Sequence, residues 1–274
     1  MSAEKSPLLR SFNNSSTSLA AVIEKKLAII IPAYNEEESV AQMLQQWHGV
    51  AEEHRGNLVV INDGSKDQTL ILLRSLSHRY PRLIIIDKQN TGHASSCIWG
   101  YRWACQQGYE WIFQTDSDLQ TDPEDFCHLW KIASQQSGPV DSPIDSGPFL
   151  TNYVFGYRQQ RGDGLGRWCI SKILMIVIYL IFRKYVPDAN VPFRLMRSQA
   201  LNSYLAQVPI DIYLGNAMLS IVLSQNVAAE MRWVPIRFRP RRGGVPSVNF
   251  KKFIKLGLLV ICEFYKLRKV VLYR

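Results

Sequence analysis

The chain alternates between continuous apolar runs and segments whose apolar residues recur every three or four positions. LAIIIPAY (27–34), LVVINDGS (58–65), RLIIIDK (82–88) and YEWIFQTD (109–116) are short, rich in branched or aromatic residues and closed by polar or turn-forming ones. That is the pattern of strands buried on both faces. Between them, NEEESVAQMLQQWHGVAEE (35–53), KDQTLILLRSLSHRY (66–80) and SSCIWGYRWACQQG (95–108) follow the helical period, the first opening on an acidic turn that suits a helix N-terminus. Repeated strand-then-helix units predict an α/β fold with a mostly parallel sheet and helices on both faces.

In such sheets ligands bind beyond the carboxyl ends of the strands, and the polar clusters fall there. After the first strand come Pro32, Ala33, Tyr34, Asn35 and Glu36; after the second, Asn62, Asp63 and Gly64; after the third, Asn90, Gly92 and His93; after the fourth, Asp116, Asp118 and Gln120. On an extended strand end Asp116 and Asp118 would stand about 6–7 Å apart on one face, where two carboxylates repel. A divalent cation such as Mg²⁺ or Mn²⁺ resolves that repulsion, and these hard ions share substrate phosphates, so the pair points to a nucleotide diphosphate. The competing reading is a solvated turn ahead of a helix, since Asp122-Pro123-Glu124-Asp125 is a good helix start.

Charge adds a second theme. The net charge is +9, and residues 237–274 hold eleven Lys or Arg against Glu263 alone, an excess of +10 that leaves about −1 for the remainder. A near-neutral body with a basic end suits an anionic surface of lipid headgroups or phosphates. The longest uncharged apolar run, ILMIVIYLIF (173–182), is ten residues, where a spanning helix needs about 20. WCISKILMIVIYLIFRKYV (168–186) and FKKFIKLGLLVICEFYKLRKVVLYR (250–274) are instead read as helices lying in a membrane interface. The five cysteines are odd in number and form no CxxC pair, against a disulfide framework or zinc site and in keeping with a reducing cytosol. Residues 1–22, rich in Ser and Asn, read as a disordered tail, 23–250 as one α/β domain and 251–274 as a basic amphipathic helix.

IPAYNEEESV, VINDGSKDQT, QNTGHASSCIWG, QTDSDLQTDPEDF and VPFRLMRSQAL occur in an order and spacing that resembles family-2 glycosyltransferases of the GT-A fold, nearest to the polyprenyl-phosphate sugar transferases of the dolichyl-phosphate mannose synthase type. The resemblance runs from about Leu27 to Phe250. It implies a nucleotide-sugar donor of the GDP-mannose or UDP-glucose type, with the nucleoside held by Pro32, Ala33, Tyr34, Glu36 and Asp63. It implies that Asp116 and Asp118, followed by Gln120, hold Mg²⁺ or Mn²⁺ and the sugar diphosphate, with His93 nearby. Arg194 and Arg197 of FRLMR become candidate phosphate contacts, and Arg241, Arg242 and Ser247 of RFRPRRGGVPSVNF candidates for the acceptor phosphate. Asp211 is the candidate general base, with a helix N-cap as the alternative.

The implied activity is inverting hexose transfer to polyprenyl phosphate by an enzyme peripheral to the cytoplasmic face of a membrane, with extension of a cell-surface glycan or glycolipid as the runner-up. A nucleotidyltransferase would carry a Gly-rich first turn where this chain has PAYNE. A non-catalytic basic module, binding membrane or nucleic acid, would leave the polar groups at four strand ends unexplained, and no nucleic acid is expected. Three positions depart from the family pattern: Asn62 for a frequent Asp, His93 for a frequent Lys or Arg, and Pro192 for a Gly.

Overall fold

The computed structural model describes residues 25–134, 151–161, 165–209, 213–240, 262–265 and 267–268. The chain runs β1 (Leu27–Ala33), α1 (Val40–Glu53), β2 (Asn57–Asp63), α2 (Thr69–Leu76), β3 (Leu83–Lys88), α3 (His93–Gln106), β4 (Trp111–Thr115), α4 (Pro123–Ser134), β5 (Tyr153–Arg161), α5 (Leu165–Phe182), β6 (Phe193–Arg197), α6 (Ser198–Leu205), α7 (Gly215–Asn226) and β7 (Met231–Phe238). The strands form one sheet in the order β3-β2-β1-β4-β6-β5-β7. β1 to β4 are parallel, β6 lies antiparallel between β4 and β5, and β7 pairs parallel with β5. β5 and β7 therefore point the same way as the first four strands. The sheet is mixed, α/β and mostly parallel, as the alternation of apolar runs predicts.

Two apolar layers explain why the strands read as unbroken hydrophobic runs. Ile29, Ile31, Leu58, Val60 and Phe113 face α1, α2 and α4, where Trp47 packs its ring 5.4 Å from that of Phe113. Ala28, Ile30, Val59, Ile61 and Ile112 face α3 and α5–α7. A Cβ at Gly100 would stand 2.6 Å from side-chain carbons of both Ile30 and Ile61, so α3 approaches the sheet more closely than any larger residue allows. β1 has β2 on one side and β4 on the other, and the loops leaving β1 and β4 stand side by side at the carboxyl ends, leading to α1 and α4 on the same face of the sheet.

The chain beyond β7 is tied to the body. Residues 262–265 and 267–268 are helical. Phe264 is fully buried with its ring 5.9 Å from that of Phe182, and Leu267 joins the same core. Cys262, Tyr265 and Arg268 face outward. The described residues of this segment thus pack Phe264 and Leu267 against the core near the end of α5, and the rest of the expected helix 251–274 lies outside the described residues. Among the described residues no helix is long and apolar enough to cross a membrane. The expected tail 1–22 lies outside the described residues.

Candidate active site

The first two loops are locked together by hydrogen bonds from backbone N–H groups to side chains. Asn35 N donates to Ser65 Oγ at 3.0 Å, Lys66 N to Asn35 Oδ1 at 2.8 Å, Glu36 N to Thr69 Oγ1 at 2.8 Å and Gln68 N to Glu37 Oε2 at 2.9 Å. These bonds draw residues 35–38 out of the expected helix, so α1 begins at Val40, and Asn35 takes a positive φ of 54°. Asn tolerates that region better than most residues. Pro32 and Ala33 lie buried at the end of β1, while the Tyr34 ring is 42% exposed at the rim. Glu36 accepts the Ser39 hydroxyl at 2.7 Å.

Asp63 braces the next loop. It is almost fully buried; its Oδ1 takes the Lys88 ammonium and the Thr91 N–H at 2.9 Å, and its Oδ2 takes the Gly92 N–H at 2.9 Å. Burial opposes its charge, but the Lys88 ammonium and the Thr91 N–H outweigh that and hold the carboxyl below the ordinary carboxylate range. The expected nucleoside-holding carboxylate is thus committed to shaping residues 88–92. Gly64 permits the turn, with φ at +65° and a Cβ position only 2.8 Å from Asn90 N.

β4 ends at Thr115, one residue earlier than expected, so Asp116 and Asp118 sit in a turn rather than on an extended strand. Leu119, at φ 62°, completes the turn, and Gln120 N donates to Asp118 Oδ1 at 3.3 Å. Asp122 then caps α4, accepting the Glu124 N–H at 3.0 Å as the predicted helix start requires. His93, at the first position of α3, places Nε2 2.8 Å from Asp116 Oδ1, and Gln114 Nε2 donates to the same oxygen at 3.1 Å. The Cys97 sulfur, about equally far from the two ring nitrogens, and the Asp116 carboxylate raise the proton affinity of His93 well above that of an ordinary imidazole against the cost of desolvation.

Asp116 and Asp118 fit a hard divalent cation as carboxylate oxygen donors. Among the described residues no three His, Cys, Asp or Glu side chains come together as a metal cage.

Two expectations are corrected by position. Arg197 pairs in register with Trp111, at the start of β4, and its guanidinium lies 5.8 Å over the Trp111 ring. Because β6 runs antiparallel to β4, this is the end of the sheet opposite Asp116, out of reach of a phosphate there. Arg194 is opposite Gln114, near the turn, but its guanidinium is 0% exposed and donates to the carbonyls of Val191, Asn216 and Ala189. It braces the core rather than presenting a fork to solvent. Gln120 is also buried, donating to the Arg239 carbonyl at 2.9 Å while the Arg239 N–H returns a bond at 2.8 Å. Arg239 pairs with Asp122, and Arg237 with Asp125 and Glu124. The end of β7 is thus fastened beside the DxD turn. Asp211, Arg241, Arg242 and Ser247 lie outside the described residues.

Gln114, Tyr101 and Asn216, which link Asp116 to the core, were not anticipated. The signal was present: Gln114 interrupts the apolar run WIFQT, and a polar side chain in a buried strand must find partners.

With this geometry in place, the comparisons decide the family. The profile of glycosyl transferase family 2 matches residues 28–205. The chain belongs to glycosyl transferase family 2. Among its relatives is an undecaprenyl-phosphate 4-deoxy-4-formamido-L-arabinose transferase of Pseudomonas syringae pv. syringae (strain B728a), 31% identical over 66% of this chain and 50% of that one. A protein of the same description from Photorhabdus laumondii is 25% identical over 85% of this chain and 66% of its own. The family-2 chain thus spans about half to two thirds of the length of these relatives. In fold it is similar to glucosyl-3-phosphoglycerate synthase of Mycobacterium tuberculosis in complex with Mn²⁺, UDP and phosphoglyceric acid, with a TM-score of 0.64 at 14% identity, covering 89% of this chain and 78% of that one. S. aureus TarS (1–349) in complex with UDP-GlcNAc follows at a TM-score of 0.54 and 15% identity, covering 87% and 66%.

Proposed function

We propose that this chain transfers a hexose, with inversion, from a nucleotide-sugar donor to a polyprenyl phosphate at the cytoplasmic face of a membrane. The observation that carries this reading is the convergence of Asp116 and Asp118 with Tyr34, the 88–92 loop and His93 at one end of the sheet. The polyprenyl-phosphate sugar transferases among the relatives support the acceptor class, and the neighbours bound to UDP or a UDP-sugar support the donor class.

Asp116 and Asp118 would hold Mg²⁺ or Mn²⁺, which when bound supplies Lewis-acid stabilisation to the departing nucleotide diphosphate. The chain's own groups do the rest. The lock between residues 35–37 and 65–69 fixes the rim on which Tyr34 is exposed to a nucleoside. The N-terminal end of α3, reached through Gly92 and His93, adds partial positive charge facing the diphosphate. An oxygen of the acceptor phosphate attacks the anomeric carbon, the bond from that carbon to the diphosphate oxygen breaks, and the nucleotide diphosphate leaves with the electron pair. That acceptor oxygen is already ionised near neutral pH, so no side chain need remove a proton. Asp211 would act as base only for a hydroxyl acceptor.

α5 supports delivery of a lipid-borne acceptor. Ile173, Ile176 and Leu180 are 58, 52 and 60% exposed along it, with Lys172 exposed just before this stripe and Arg183 exposed just beyond the helix. β5 is parallel to β4, so α5 begins on the side of the sheet where the DxD turn lies. An apolar helical face with basic ends suits the interface of an anionic membrane. The test is a panel of nucleotide sugars with Mg²⁺ or Mn²⁺, scored for thermal stabilisation and then for transfer to polyprenyl phosphate. At least one donor should stabilise the chain and be consumed; a panel giving neither shift nor transfer overturns the reading.

A further inference from the structure

Behind the DxD turn lies a closed set of uncharged polar side chains drawn from three elements. Gln114 of β4, fully buried, accepts the Asn216 side-chain N–H at 3.1 Å through its Oε1, which also lies 3.2 Å from the Tyr101 hydroxyl of α3. Its Nε2 donates to Asp116 Oδ1 at 3.1 Å. Asn216, near the start of α7, has its Oδ1 3.0 Å from the same hydroxyl, and its carbonyl accepts Arg194 Nη1 at 2.8 Å. An amide has one accepting and one donating end. The nitrogen of Asn216 can only donate, so it fixes which end of Gln114 faces it. The donating end of Gln114 is therefore turned to Asp116, where His93 Nε2 meets the same oxygen at 2.8 Å.

We propose that Asn216, acting through Gln114, is a positioning residue for Asp116. It sets the polarity of the Gln114 amide, and the amide with His93 fixes the rotation of the carboxylate that receives the cation and diphosphate. Dipoles held in a dry core act strongly on a neighbouring charge, and partners behind a metal ligand set its orientation. The inference rests on the proposed role of Asp116, and the experiment separates the two.

Asn216→Asp keeps the shape of the side chain but puts an acceptor where Gln114 meets a donor. To satisfy it, Gln114 must turn its N–H₂ toward residue 216 and its carbonyl toward Asp116 Oδ1, replacing an attraction by a repulsion. The assay is Mn²⁺ binding in the presence of UDP, read from the loss of the free-Mn²⁺ electron paramagnetic resonance signal, alongside UDP binding without metal. Asn216→Asp should weaken Mn²⁺ binding by roughly tenfold to a hundredfold and leave metal-free UDP binding unchanged. Gln114→Met is the second variant: it removes the donor to Asp116 at similar volume, the Tyr101 hydroxyl keeps Asn216 Oδ1, and the Asn216 N–H loses its acceptor, so the variant is first checked for cooperative thermal unfolding. It should weaken Mn²⁺ binding about tenfold. Folded Asn216→Asp, or folded Gln114→Met where the first does not fold, binding Mn²⁺ within twofold of the parent overturns the inference and leaves the network as core satisfaction only. Asp116→Asn is the control. If it too binds Mn²⁺ with UDP normally, the reading of the site falls and this inference with it; if it loses Mn²⁺ while Asn216→Asp does not, only the inference falls.

Discussion

Arg194→Met separates two roles that the FRLMR segment can play. In the structure the Arg194 guanidinium is fully buried, donates to the carbonyls of Val191, Asn216 and Ala189, and lies 4.7 Å from the Phe155 ring centre. Burial lowers its pKa to about 10, leaving it charged at neutral pH. Met fills most of the volume, so the cavity contribution is small and the cost is that of the stranded carbonyls. Val191 O loses the bond that Arg194 Nε makes, while Ala189 O keeps the Ser220 hydroxyl and Asn216 O, in the first turn of α7, keeps its helical N–H partner. One carbonyl is therefore left without a partner, at about 1–3 kcal/mol, offset in part by relief of the desolvated charge. The expected loss is about 2 kcal/mol, or roughly 4–8 °C in melting temperature for a domain of this size. Thermal unfolding by circular dichroism measures it, with the Michaelis constant for the donor determined on the same preparation. A variant that melts with the parent but shows a raised constant for the nucleotide sugar would refute the structural assignment and restore Arg194 as a phosphate contact.

Asp116→Asn and Asp118→Asn should each lower transfer by about a hundredfold or more without lowering the melting temperature, because each removes one of two like charges; transfer within a few-fold of the parent at saturating metal would remove the pair from the chemistry. Asp63→Asn should cost about 1.5–3 kcal/mol at pH 7, since it removes the charge that faces the Lys88 ammonium, which keeps only the Gln89 carbonyl and the Thr91 hydroxyl. The folded carboxyl titrates below its unfolded value of about 4, so this contribution is present above pH 4 and lost as pH falls through the depressed folded value. The melting gap between parent and variant should accordingly close in acid, and a gap constant from pH 7 to pH 2 would contradict the ion pair. Ile176→Asp with Leu180→Asp changes two exposed residues of α5 and should leave the fold intact while reducing flotation with anionic vesicles; undiminished flotation would discard α5 as a membrane contact.

The first half of the fold was legible because β1, β2 and β4 are buried on both faces and so read as unbroken apolar runs, and the half-buried edge strand β3 carries the same kind of run. β6 was harder. FRLMR carries Arg194 in a central antiparallel strand, where a charged residue argues against burial until its backbone partners are seen. Local pattern also misplaced the start of α1. Residues 35–38 have the acidic composition of a helix N-terminus, yet their N–H groups pair with Ser65, Thr69 and Asp67, residues about thirty positions away. A contact made across two loops leaves no trace in a helical period.

The candidate site shows the same division among its carboxylates. Sequence position marks Asp63, Asp116, Asp118, Asp122 and Asp125 alike, as acids beyond strand ends. What sorts them is the partner that folding brings. Asp63 meets Lys88, Asp122 meets Arg239, and Asp125 meets Arg237, so each of those charges is compensated by a fixed cation and braces a loop. Asp116 meets the neutral amide of Gln114 and the ring of His93, which orient it and offset its charge less than a lysine or arginine would. A carboxylate locked to a lysine or arginine attracts a divalent ion weakly, whereas one held by an amide and a half-exposed histidine, which can give up its proton, can exchange that partner for a ligand. The DxD spacing located the acid, but its suitability for a cation follows from partners contributed by α3 and β4. Of these, Gln114 is the one the sequence displayed, as the polar residue in WIFQT, and its polarity is decided by Asn216, more than a hundred residues away.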